Sequence, residues 1–397
     1  MTLVNFSLII LALSSLIWLY LFFFHGGFIF PFFNSFWTNR IIFEKFHGFT
    51  IEKKVKDQVG IVIPARNEED TITLCLESVL DQKNVKFEII LVDDHSNDKT
   101  VKIAKEIFKK YNFKNYVILK NKKLPETWNG KTWALNNGVK KALQNNKNKY
   151  LLFLDADISI DQFLIKNLQR AIEEKKYKMI SIMAKLNCSS FWEKLLIPNF
   201  IFFFQKLYPF NYVNNPDKAL AAAAGGCIFS DISIFKKKNL FELIKNKLID
   251  DCNLAKEIKK IGAIWLGLSE KVKSNRKYKN LKSIWKMVER CAYEQLGKSI
   301  LILFFTILMM IVIYLIWFIG FIIGIRTNNI EVVVLSLFVF TISSIVFFPT
   351  IKFYKISYIY CFLGFISSMF YILMTITSAK NYYLKSGSVW RGRKYKI

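Results

Sequence analysis

The sequence has few of the residues that usually build metal sites or disulfide frameworks. Its 397 residues include three histidines and six cysteines. The cysteines are widely spaced, and no two of them form a C-x-x-C pair. These features argue against a structural zinc site and against a disulfide framework. They are typical of a reduced, cytosolic domain.

Glycine-rich phosphate loops are also missing. Neither G-x-G-x-x-G nor G-x-x-x-x-G-K-[ST] occurs anywhere in the chain, which argues against a dinucleotide dehydrogenase. The first predicted strand leads instead into Pro64, Arg66, Asn67 and Glu68. Because no glycine there lets the backbone approach a pyrophosphate, we expect a metal ion or side chains to meet any phosphate charge.

Acidic residues are scarce beside basic ones, 30 against 57, so the net charge is +27. A biased composition explains lysines scattered through an Asn, Ile and Phe rich sequence. Alternatively, cytoplasmic segments of a membrane protein are enriched in Lys and Arg and are attracted to anionic lipid. No basic helix, zinc finger or aromatic RNA-binding motif occurs, so nucleic acid is not an expected partner.

Long apolar runs are abundant, with 53% hydrophobic residues and 38 phenylalanines. Crossing a bilayer takes about 20 mostly apolar residues. The first candidate, within residues 1–25, is predicted to be a retained anchor, since no positive charge precedes it and no clear small-residue cleavage site follows it. We expect two to three further spans within residues 300–379. The stretches that reach or approach this length are Thr2 to Phe24, Ile300 to Ile325, Ile330 to Ile351 and Ile356 to Ala379.

The charges beside these spans predict a multi-pass protein of the cytoplasmic membrane. Arg40 and Lys45 follow the first span and no charge precedes it, which places the central domain in the cytoplasm. The basic tail, residues 380–397, also favours the cytoplasm. Three C-terminal spans would put that tail outside, so we expect one of them to be interfacial or re-entrant. Residues 191–212, rich in aromatics and Lys, are predicted to lie at the membrane interface, with a buried aromatic helix as the alternative.

The central region, residues 55–299, alternates strand and helix signals. Such alternation predicts an α/β, nucleotide-binding domain with a mainly parallel sheet. The predicted strands are Gly60 to Pro64, Phe87 to Val92, Val117 to Leu119 and Tyr150 to Leu154, and the predicted helices are Glu68 to Leu80, Lys99 to Tyr111 and Trp133 to Leu143.

Acidic residues follow three short apolar runs, which are typical of buried strands. Because ligands of such sheets bind outside the carboxyl ends of the strands, these acids are predicted to gather at one edge. By chemistry, the predicted occupant is a metal-bound, phosphorylated donor. The pairs are Asp93 and Asp94 after Ile89 to Val92, Asp155 and Asp157 after Tyr150 to Leu154, and Asp250 and Asp251 after Asn246 to Ile249.

Each acidic pair predicts a role and has a plainer alternative. Asp155 and Asp157, one residue apart, suit Mg²⁺ or Mn²⁺ bridged to a diphosphate, although a D-x-D is often only a solvated turn. Asp93 and Asp94 suit a nucleoside, with Asp94 the preferred base contact, while nearby Ser96 or Asp98 caps the next helix.

Asp250 and Asp251 stand where a further helix begins, so helix capping is the plainer alternative for them. The functional interpretation is a general base that takes a proton from an acceptor hydroxyl. Of the two we favour Asp251, with Asp250 orienting it or the acceptor.

Two cations and two glycines complete the predicted site. Lys131 and Arg290 are available for the negative charge that develops on a leaving diphosphate, or they are surface charges. Gly225 and Gly226 would let a substrate approach the backbone closely, or they would serve a tight packing contact.

These residues, in this order, resemble the family 2 glycosyltransferases over roughly Val59 to Arg290. The resemblance implies an inverting enzyme with the A-type nucleotide-sugar fold and a nucleotide-sugar donor. It assigns Ile61 to Glu69 to the nucleotide loop and Asp93 and Asp94 to the nucleoside. Asp155 and Asp157 correspond to the metal motif, and Asp251 to the catalytic acid.

A closer resemblance is to the membrane subgroup of hopene-associated glycosyltransferases, often called HpnB. The stretches that carry it are Leu124-Pro125, Trp128 to Ala134, Ala221 to Cys227, Ile249 to Cys252, Met287 to Leu296 and Trp390 to Arg393. This likeness implies a lipid-type acceptor, with a hopanoid-related one as a candidate.

One departure bears on the product. Processive polysaccharide synthases of this superfamily usually carry Q-x-x-R-W, whereas here Met287 stands three residues before Arg290 and Cys291 follows it. We therefore expect transfer of a single sugar. The alternatives are a polysaccharide synthase and a non-catalytic membrane protein that binds a nucleotide or lipid.

Overall fold

The computed structural model describes residues 3–23 and 57–384, together with the backbone of residues 389–390 and 393–394. The described residues group into two units. The sheet unit comprises residues 57–187 and 210–277, and the helical unit comprises residues 3–23, 188–209 and 278–384. Residues 188–209 and 278–299, which lie within the predicted catalytic domain 55–299, group with the helices. The boundaries of that domain stay a prediction. Arg40, Lys45 and half of the basic tail lie outside the described residues.

Eight strands form one sheet in the sheet unit. They are β1 (Gln58–Ala65), β2 (Lys86–Asp93), β3 (Tyr116–Lys120), β4 (Asn148–Leu154), β5 (Ile158–Ile160), β6 (Met179–Lys185), β7 (Cys227–Asp231) and β8 (Ile264–Ser274). Their order across the sheet is β3-β2-β1-β4-β7-β6-β8-β5.

Most neighbouring strands are parallel, as the sequence predicts for an α/β domain. Strands β1 to β4 pair in parallel, and so do β6 and β8. Strand β7 runs antiparallel to both β4 and β6, while β5 runs antiparallel to β8. The carboxyl ends of β1, β2, β3, β4, β6 and β8 therefore share one edge with the start of β7. This is the edge at which the acids were predicted to gather.

The helices connect the strands in the sheet unit and make up the helical unit. In chain order they are α1 (Leu3–Phe23), α2 (Ile72–Leu80), α3 (Thr100–Lys110), α4 (Gly130–Ala142), α5 (Leu164–Lys175), α6 (Phe191–Leu207), α7 (Phe210–Asn214), α8 (Ser233–Lys237), α9 (Leu240–Leu243), α10 (Asp250–Lys259), α11 (Leu281–Glu289), α12 (Ala292–Gln295), α13 (Ile300–Met310), α14 (Ile316–Arg326), α15 (Ile330–Tyr354) and α16 (Gly364–Tyr383). Two further short strands, β9 (Val389–Trp390) and β10 (Arg393–Lys394), pair antiparallel with each other.

The predicted alternation from Gly60 to Leu154 is confirmed, with element ends shifted by a few residues. One of the three apolar runs that precede acidic residues, Asn246 to Ile249, is not a strand, so the prediction of a strand there is wrong. The run has only two apolar residues, Leu248 and Ile249, and both are half-buried. It is a loop that leads into α10, so Asp250 and Asp251 start a helix.

The strands of the sheet unit have continuous apolar sequences because their residues are buried in its core. Helices cover the sheet, and every residue of β1 from Val59 to Ala65 is buried. Each fully buried Val or Ile contributes about 1.5–3 kcal/mol relative to an exposed one. Helix α4 approaches β1 and β2 closely at Gly138, where an added Cβ would lie 2.3 Å from Val62 Cγ1 and 3.1 Å from Val92 Cγ2.

Within the helical unit, three helices of the described residues are long and apolar enough to cross a membrane: Leu3–Phe23, Ile300–Arg326 and Ile330–Tyr354. The second is continuous because a π-helical turn, Ile311–Leu315, joins α13 to α14. The fourth predicted stretch, Ile356 to Ala379, is not among them. A 3₁₀ turn at Tyr358–Cys361 precedes α16, and polar Ser and Thr side chains interrupt its apolar residues.

Helix α6 contains most of the segment predicted to lie at the membrane interface. Leu196 and Ile201 are fully buried within the helical unit, whereas Phe191 is 59% exposed and Leu207 is 52% exposed. The buried-helix alternative therefore describes one side of α6. The interfacial position of residues 191–212 stays a prediction.

We expect Gly138→Ala to destabilise the sheet unit. The added methyl group must displace a valine side chain, and such overpacking costs about 1–3 kcal/mol. The measurement is the melting temperature of the purified protein in detergent, which should fall by roughly 2–4 °C per kcal/mol. Lys140→Ala, at an exposed position of the same helix, is the control and should shift stability by no more than about 0.5 kcal/mol. Equal melting temperatures for the two variants would contradict the packing argument.

Candidate functional site

An ion pair joins the end of β4 to the start of α4. Lys131, in the first turn of α4, places its ammonium 2.8 Å from Asp155 Oδ1 and 3.0 Å from Asp155 Oδ2. Both side chains are partly shielded, with 19% of Lys131 and 31% of Asp155 exposed. The strong pairing follows from topology, because α4 begins at the edge where β4 ends.

Asp251 joins this pair from the first turn of α10. The backbone N–H of Gly225 donates to Asp251 Oδ2 at 2.8 Å, and that of Cys252 donates to Oδ1 at 2.7 Å. A Cβ added to Gly225 would lie 3.2 Å from both Asp251 Oδ2 and Lys131 Nζ. The absence of a side chain at Gly225 thus lets the loop, the base candidate and the lysine meet.

Gly226 fixes the same loop to the sheet. The Asp155 N–H donates to the Gly226 carbonyl at 3.1 Å, immediately before β7 begins. The structure therefore brings together five residues predicted from sequence: Lys131, Asp155, Gly225, Gly226 and Asp251.

The crowding of charge changes the proton affinities of these groups. Burial raises the pKa of Asp251 to about 6, and repulsion from Asp250 adds to the rise, while Lys131 and the two backbone N–H groups oppose it. Burial also raises the pKa of Asp155, although Lys131 counteracts this. The pKa of Lys131 is itself raised, because attraction to Asp155 and then Asp250 outweighs its burial. Asp251 is therefore suited to accept a proton near neutral pH.

Helix capping explains neither Asp250 nor Asp251 fully. The residue that caps α10 is Ile249, which has no side-chain capping bond. Both acids lie in the first turn, where the helix dipole favours negative charge. The carboxylate of Asp251 is directed to the Gly225 loop as well as to its own helix.

Asp157, the second residue of the predicted metal-binding pair, forms an ion pair with Arg276, a residue that sequence analysis did not single out. Arg276 Nε donates to Asp157 Oδ2 at 2.7 Å, and Arg276 Nη2 donates to Glu68 Oε1 at 3.2 Å. Ser274 also donates to Asp157 Oδ2, at 3.5 Å. Asp157 and Glu68 are each 7% exposed.

The carboxylates of Asp155 and Asp157 fit a hard divalent cation by donor type, since Mg²⁺ and Mn²⁺ prefer oxygen ligands. Both carboxylates are paired with a cationic side chain in this structure. Among the described residues, no group of three or more His, Cys, Asp or Glu side chains is placed to hold a metal ion. The two acids alone would supply only part of a coordination shell, and a metal ion at this position stays a prediction.

A buried polar chain surrounds Asp94 at the end of β2. Asn137 donates to Asn121 Oδ1 at 2.7 Å, and Asn121 donates to Asp94 Oδ1 at 2.9 Å. Arg66 donates to the Asp94 carbonyl in a short hydrogen bond, and its guanidinium lies 3.9 Å from Asp94 Oδ2. Asp94 is 0% exposed and Asp93 is 8% exposed. The role of Asp94 as a base contact stays a prediction.

The loop after β1 is held against the loop after β2. The Asn67 N–H donates to Ser96 Oγ at 3.1 Å, and the Glu68 N–H donates to Thr100 Oγ1 at 2.8 Å. Asp98 accepts from the Thr100 N–H at 3.0 Å, which is the cap-like contact that the plainer interpretation expected for this helix start. Pro64 is buried within β1, opposite Val92 of β2.

Sequence reasoning missed Asn121, Asn137 and Arg276. Asn121 follows β3 directly, and Arg276 lies two residues after the end of β8, so polar side chains after strand ends were an available signal. Asn137 lies inside α4 and had no such signal. Arg290 follows α11 in the helical unit, and its predicted role stays a prediction.

Comparisons with known proteins point to one family. A family model described as Glycosyl transferase family 2 matches residues 60–237. A relative from Methanococcus voltae, named dolichyl N-acetyl-alpha-D-glucosaminyl phosphate 3-beta-D-2,3-diacetamido-2,3-dideoxy-beta-D-glucuronosyltransferase, is 32% identical over 133 residues, which cover 32% of this chain and 39% of the relative. The 4,4'-diaponeurosporenoate glycosyltransferase of Staphylococcus haemolyticus is 34% identical over 110 residues, or 28% of this chain and 27% of that protein.

Among solved structures, the mannosyltransferase PcManGT from Pyrobaculum calidifontis, in complex with GDP-Man and Mn²⁺, aligns with 72% of this chain and 76% of its own. The sequence identity is 14% and the TM-score is 0.44. The match to this chain spans less than half of the length of each of the two curated relatives. Residues 60–237 of the chain are thus similar to glycosyl transferase family 2, and both named relatives are glycosyltransferases by name.

Proposed function

We propose that the chain is a membrane-bound, inverting glycosyltransferase that moves one sugar from a nucleotide sugar to a lipid-type acceptor. The observation that carries the proposal is the meeting of Asp251, Lys131 and Asp155 at one edge of the sheet. A UDP-sugar is the first donor to test. The acceptor group is a hydroxyl or a phosphate, and the likeness to the hopene-associated subgroup makes hopanoid-related lipids the first acceptor class to test.

Asp251 acts on the acceptor in this mechanism. Its carboxylate takes the proton of the acceptor hydroxyl while the acceptor oxygen forms a bond to the anomeric carbon of the sugar. The bond between that carbon and the diphosphate oxygen breaks, and its electron pair leaves with the nucleoside diphosphate. Attack and departure on opposite faces invert the anomeric configuration. The raised pKa of Asp251, about 6, suits a base that must release its proton again near neutral pH.

Lys131 and Asp155 act at the donor. The Lys131 ammonium is available to the diphosphate as negative charge builds on the leaving oxygen. Asp155 and Asp157 are the side chains that would hold Mg²⁺ or Mn²⁺, and a bound ion supplies further positive charge to the diphosphate. Asp93, Asp94 and the loop of Pro64, Arg66, Asn67 and Glu68 are proposed to hold the nucleoside, and Gly225 and Gly226 to give the sugar close access to the backbone.

A lipid-type acceptor is supported by the apolar helices and by the printed names of two relatives. Three helices within residues 3–23 and 57–384 are long and apolar enough to cross a membrane. The Methanococcus voltae protein is named for a dolichyl-linked sugar phosphate, and the Staphylococcus haemolyticus protein is named for 4,4'-diaponeurosporenoate. We carry over to this chain only the class that these names share, an apolar acceptor.

The proposal is tested by incubating membranes that contain the protein with a panel of radiolabelled UDP-sugars. For one sugar we expect label in organic-extractable lipid, in a product that carries one added sugar and that requires manganese. Asp251→Asn should lower the transfer rate at least about 100-fold, because general-base catalysis typically contributes that much. It should leave UDP binding intact, as measured by calorimetry.

Asp231→Asn is the matched control. Asp231 ends β7 at the opposite edge of the sheet, where Lys178 lies 3.8 Å away, so this variant should transfer at the wild-type rate. Wild-type transfer by Asp251→Asn would remove Asp251 from the role. Products with many added sugars would favour a polysaccharide synthase. UDP binding without transfer to any lipid of the panel, hopanoids and polyprenyl phosphates included, would favour a binding protein.

The transfer rate should depend on pH through Asp251. A protonated carboxyl cannot accept the acceptor proton, so kcat/KM should rise with pH through about 6 and level off above it. Asp250→Asn removes the like charge that helps to raise the pKa of Asp251, so the acidic limb should move to lower pH. The measurement is the pH profile of wild type, Asp250→Asn and Asp231→Asn. An acidic limb that stays in place, or that moves to higher pH in Asp250→Asn alone, would contradict the assignment.

A further inference from the structure

Arg276 occupies an unusual position for a cation in the sheet unit. Its guanidinium bridges two buried carboxylates that come from different strand ends, Asp157 after β4 and Glu68 after β1. These acids are 7% exposed, whereas the Arg276 side chain is 31% exposed. The Arg276 side chain is thus more accessible than the two acids that its guanidinium contacts.

Local hydrogen bonds fix the backbone beneath this bridge. The Asn275 N–H donates to the Asp157 carbonyl at 2.7 Å, which ties the segment after β8 to the segment after β4. Thr71 Oγ1 donates to Glu68 Oε2 at 2.9 Å, so Glu68 is held independently of Arg276. The acids are therefore fixed, and the long arginine side chain is the adaptable member of the cluster.

Arg276 and a divalent cation would compete for the same oxygen, Asp157 Oδ2. Asp157 Oδ2 accepts hydrogen bonds from both Arg276 and Ser274, so it is already engaged. A divalent cation at Asp157 must overcome this engagement and the repulsion of the guanidinium. A diphosphate changes the balance, because guanidinium groups bind phosphate oxygens as well as they bind carboxylates.

We propose that Arg276 is an exchangeable counter-ion that holds Asp157 until a nucleoside diphosphate arrives. Arg276 then pairs with the diphosphate and gives up Asp157 to the divalent cation. This inference rests on the proposed donor site at Asp155 and Asp157. Binding of the divalent cation and binding of the nucleotide would then depend on each other in two ways. One is direct contact between the cation and the diphosphate, and the other is the movement of Arg276.

The test measures Mn²⁺ binding to the full-length protein in detergent, by electron paramagnetic resonance of free Mn²⁺, with and without UDP. Wild type should bind Mn²⁺ weakly alone and more tightly with UDP. Arg276→Gln should bind Mn²⁺ alone roughly tenfold more tightly than wild type, the scale expected when one close opposite charge is removed from a carboxylate. The tightening that UDP produces should be smaller in this variant, because no counter-ion remains to be displaced.

Two further variants separate charge from structure. Arg276→Lys keeps the positive charge and should keep Mn²⁺ binding weak in the absence of UDP. Lys149→Gln removes a cation that pairs with Asp57 at 2.7 Å, at the start of β4, and should leave every Mn²⁺ affinity at the wild-type value.

The outcomes separate this inference from the function that it extends. Equal Mn²⁺ affinities for wild type and Arg276→Gln, with UDP-dependent binding intact, would overturn the role of Arg276 and leave the proposed donor site standing. Failure of wild type to bind Mn²⁺ even with UDP would overturn both. If Arg276→Gln does not fold, Arg276→Lys still provides a test. This variant keeps the positive charge, so a tenfold rise in its Mn²⁺ affinity without UDP would contradict competition based on charge.

Discussion

The structure of the site depends on how the chain neutralises carboxylates gathered at one sheet edge. Asp155, Asp250 and Asp251 all raise the proton affinity of Lys131, which shows how much negative charge surrounds a single ammonium group. Without that lysine, the acids would repel one another in a partly desolvated place, and their pKa values would rise further. The Lys131 to Asp155 pair is therefore as much a condition for assembling the site as a candidate for chemistry.

Geometry at this edge follows from one reversed strand. Strand β7 runs antiparallel to β4, so the chain reaches the edge just before β7 begins, and that approach consists of Gly225 and Gly226. A side chain at Gly225 would press against both Asp251 and Lys131. The same backbone donates a hydrogen bond to Asp251, which favours its charged form. The lack of a side chain at Gly225 and the hydrogen bond to Asp251 therefore both result from the same close contact.

In the helical unit, polar groups lie among apolar side chains, and some of them are hydrogen-bonded within the unit. The indole N–H of Trp18 donates to the Ile313 carbonyl at 2.8 Å, inside the π-helical turn where the regular hydrogen-bond pattern is interrupted. An added Cβ on Gly320 would lie 2.7 Å from Ser336 Oγ and 2.8 Å from Leu11 Cδ1, so α14 packs tightly against α1 and α15. If these helices cross a bilayer, no water is available to their polar groups there, and hydrogen bonds within the protein must replace it. Hydropathy identifies these helices but carries no information about their contacts.

The same limit explains what sequence reasoning could reach in the sheet unit. Apolar runs ending in acid correctly predicted β2 and β4, because a buried strand has a composition of its own and its end is marked by the first charged residue. The run before Asp250 is too short and too polar for that signal, and a helix start delivers the acid to the same edge. The site requires only that an acidic side chain lie at this edge of the sheet. Either the end of a strand or the start of a helix can place it there.

Asn121 and Arg276 are not acids, so apolar runs that end in acid do not predict them. Both follow strands that end at the same edge, so a rule that admits every polar side chain after a strand end would have found them. Asn137 is different, since only the packing of α4 against the sheet brings it to Asn121. A buried carboxylate such as Asp94 needs donors, and an amide or a guanidinium supplies them. The acids in a sequence therefore predict that partners exist, whereas only the fold decides which residues they are.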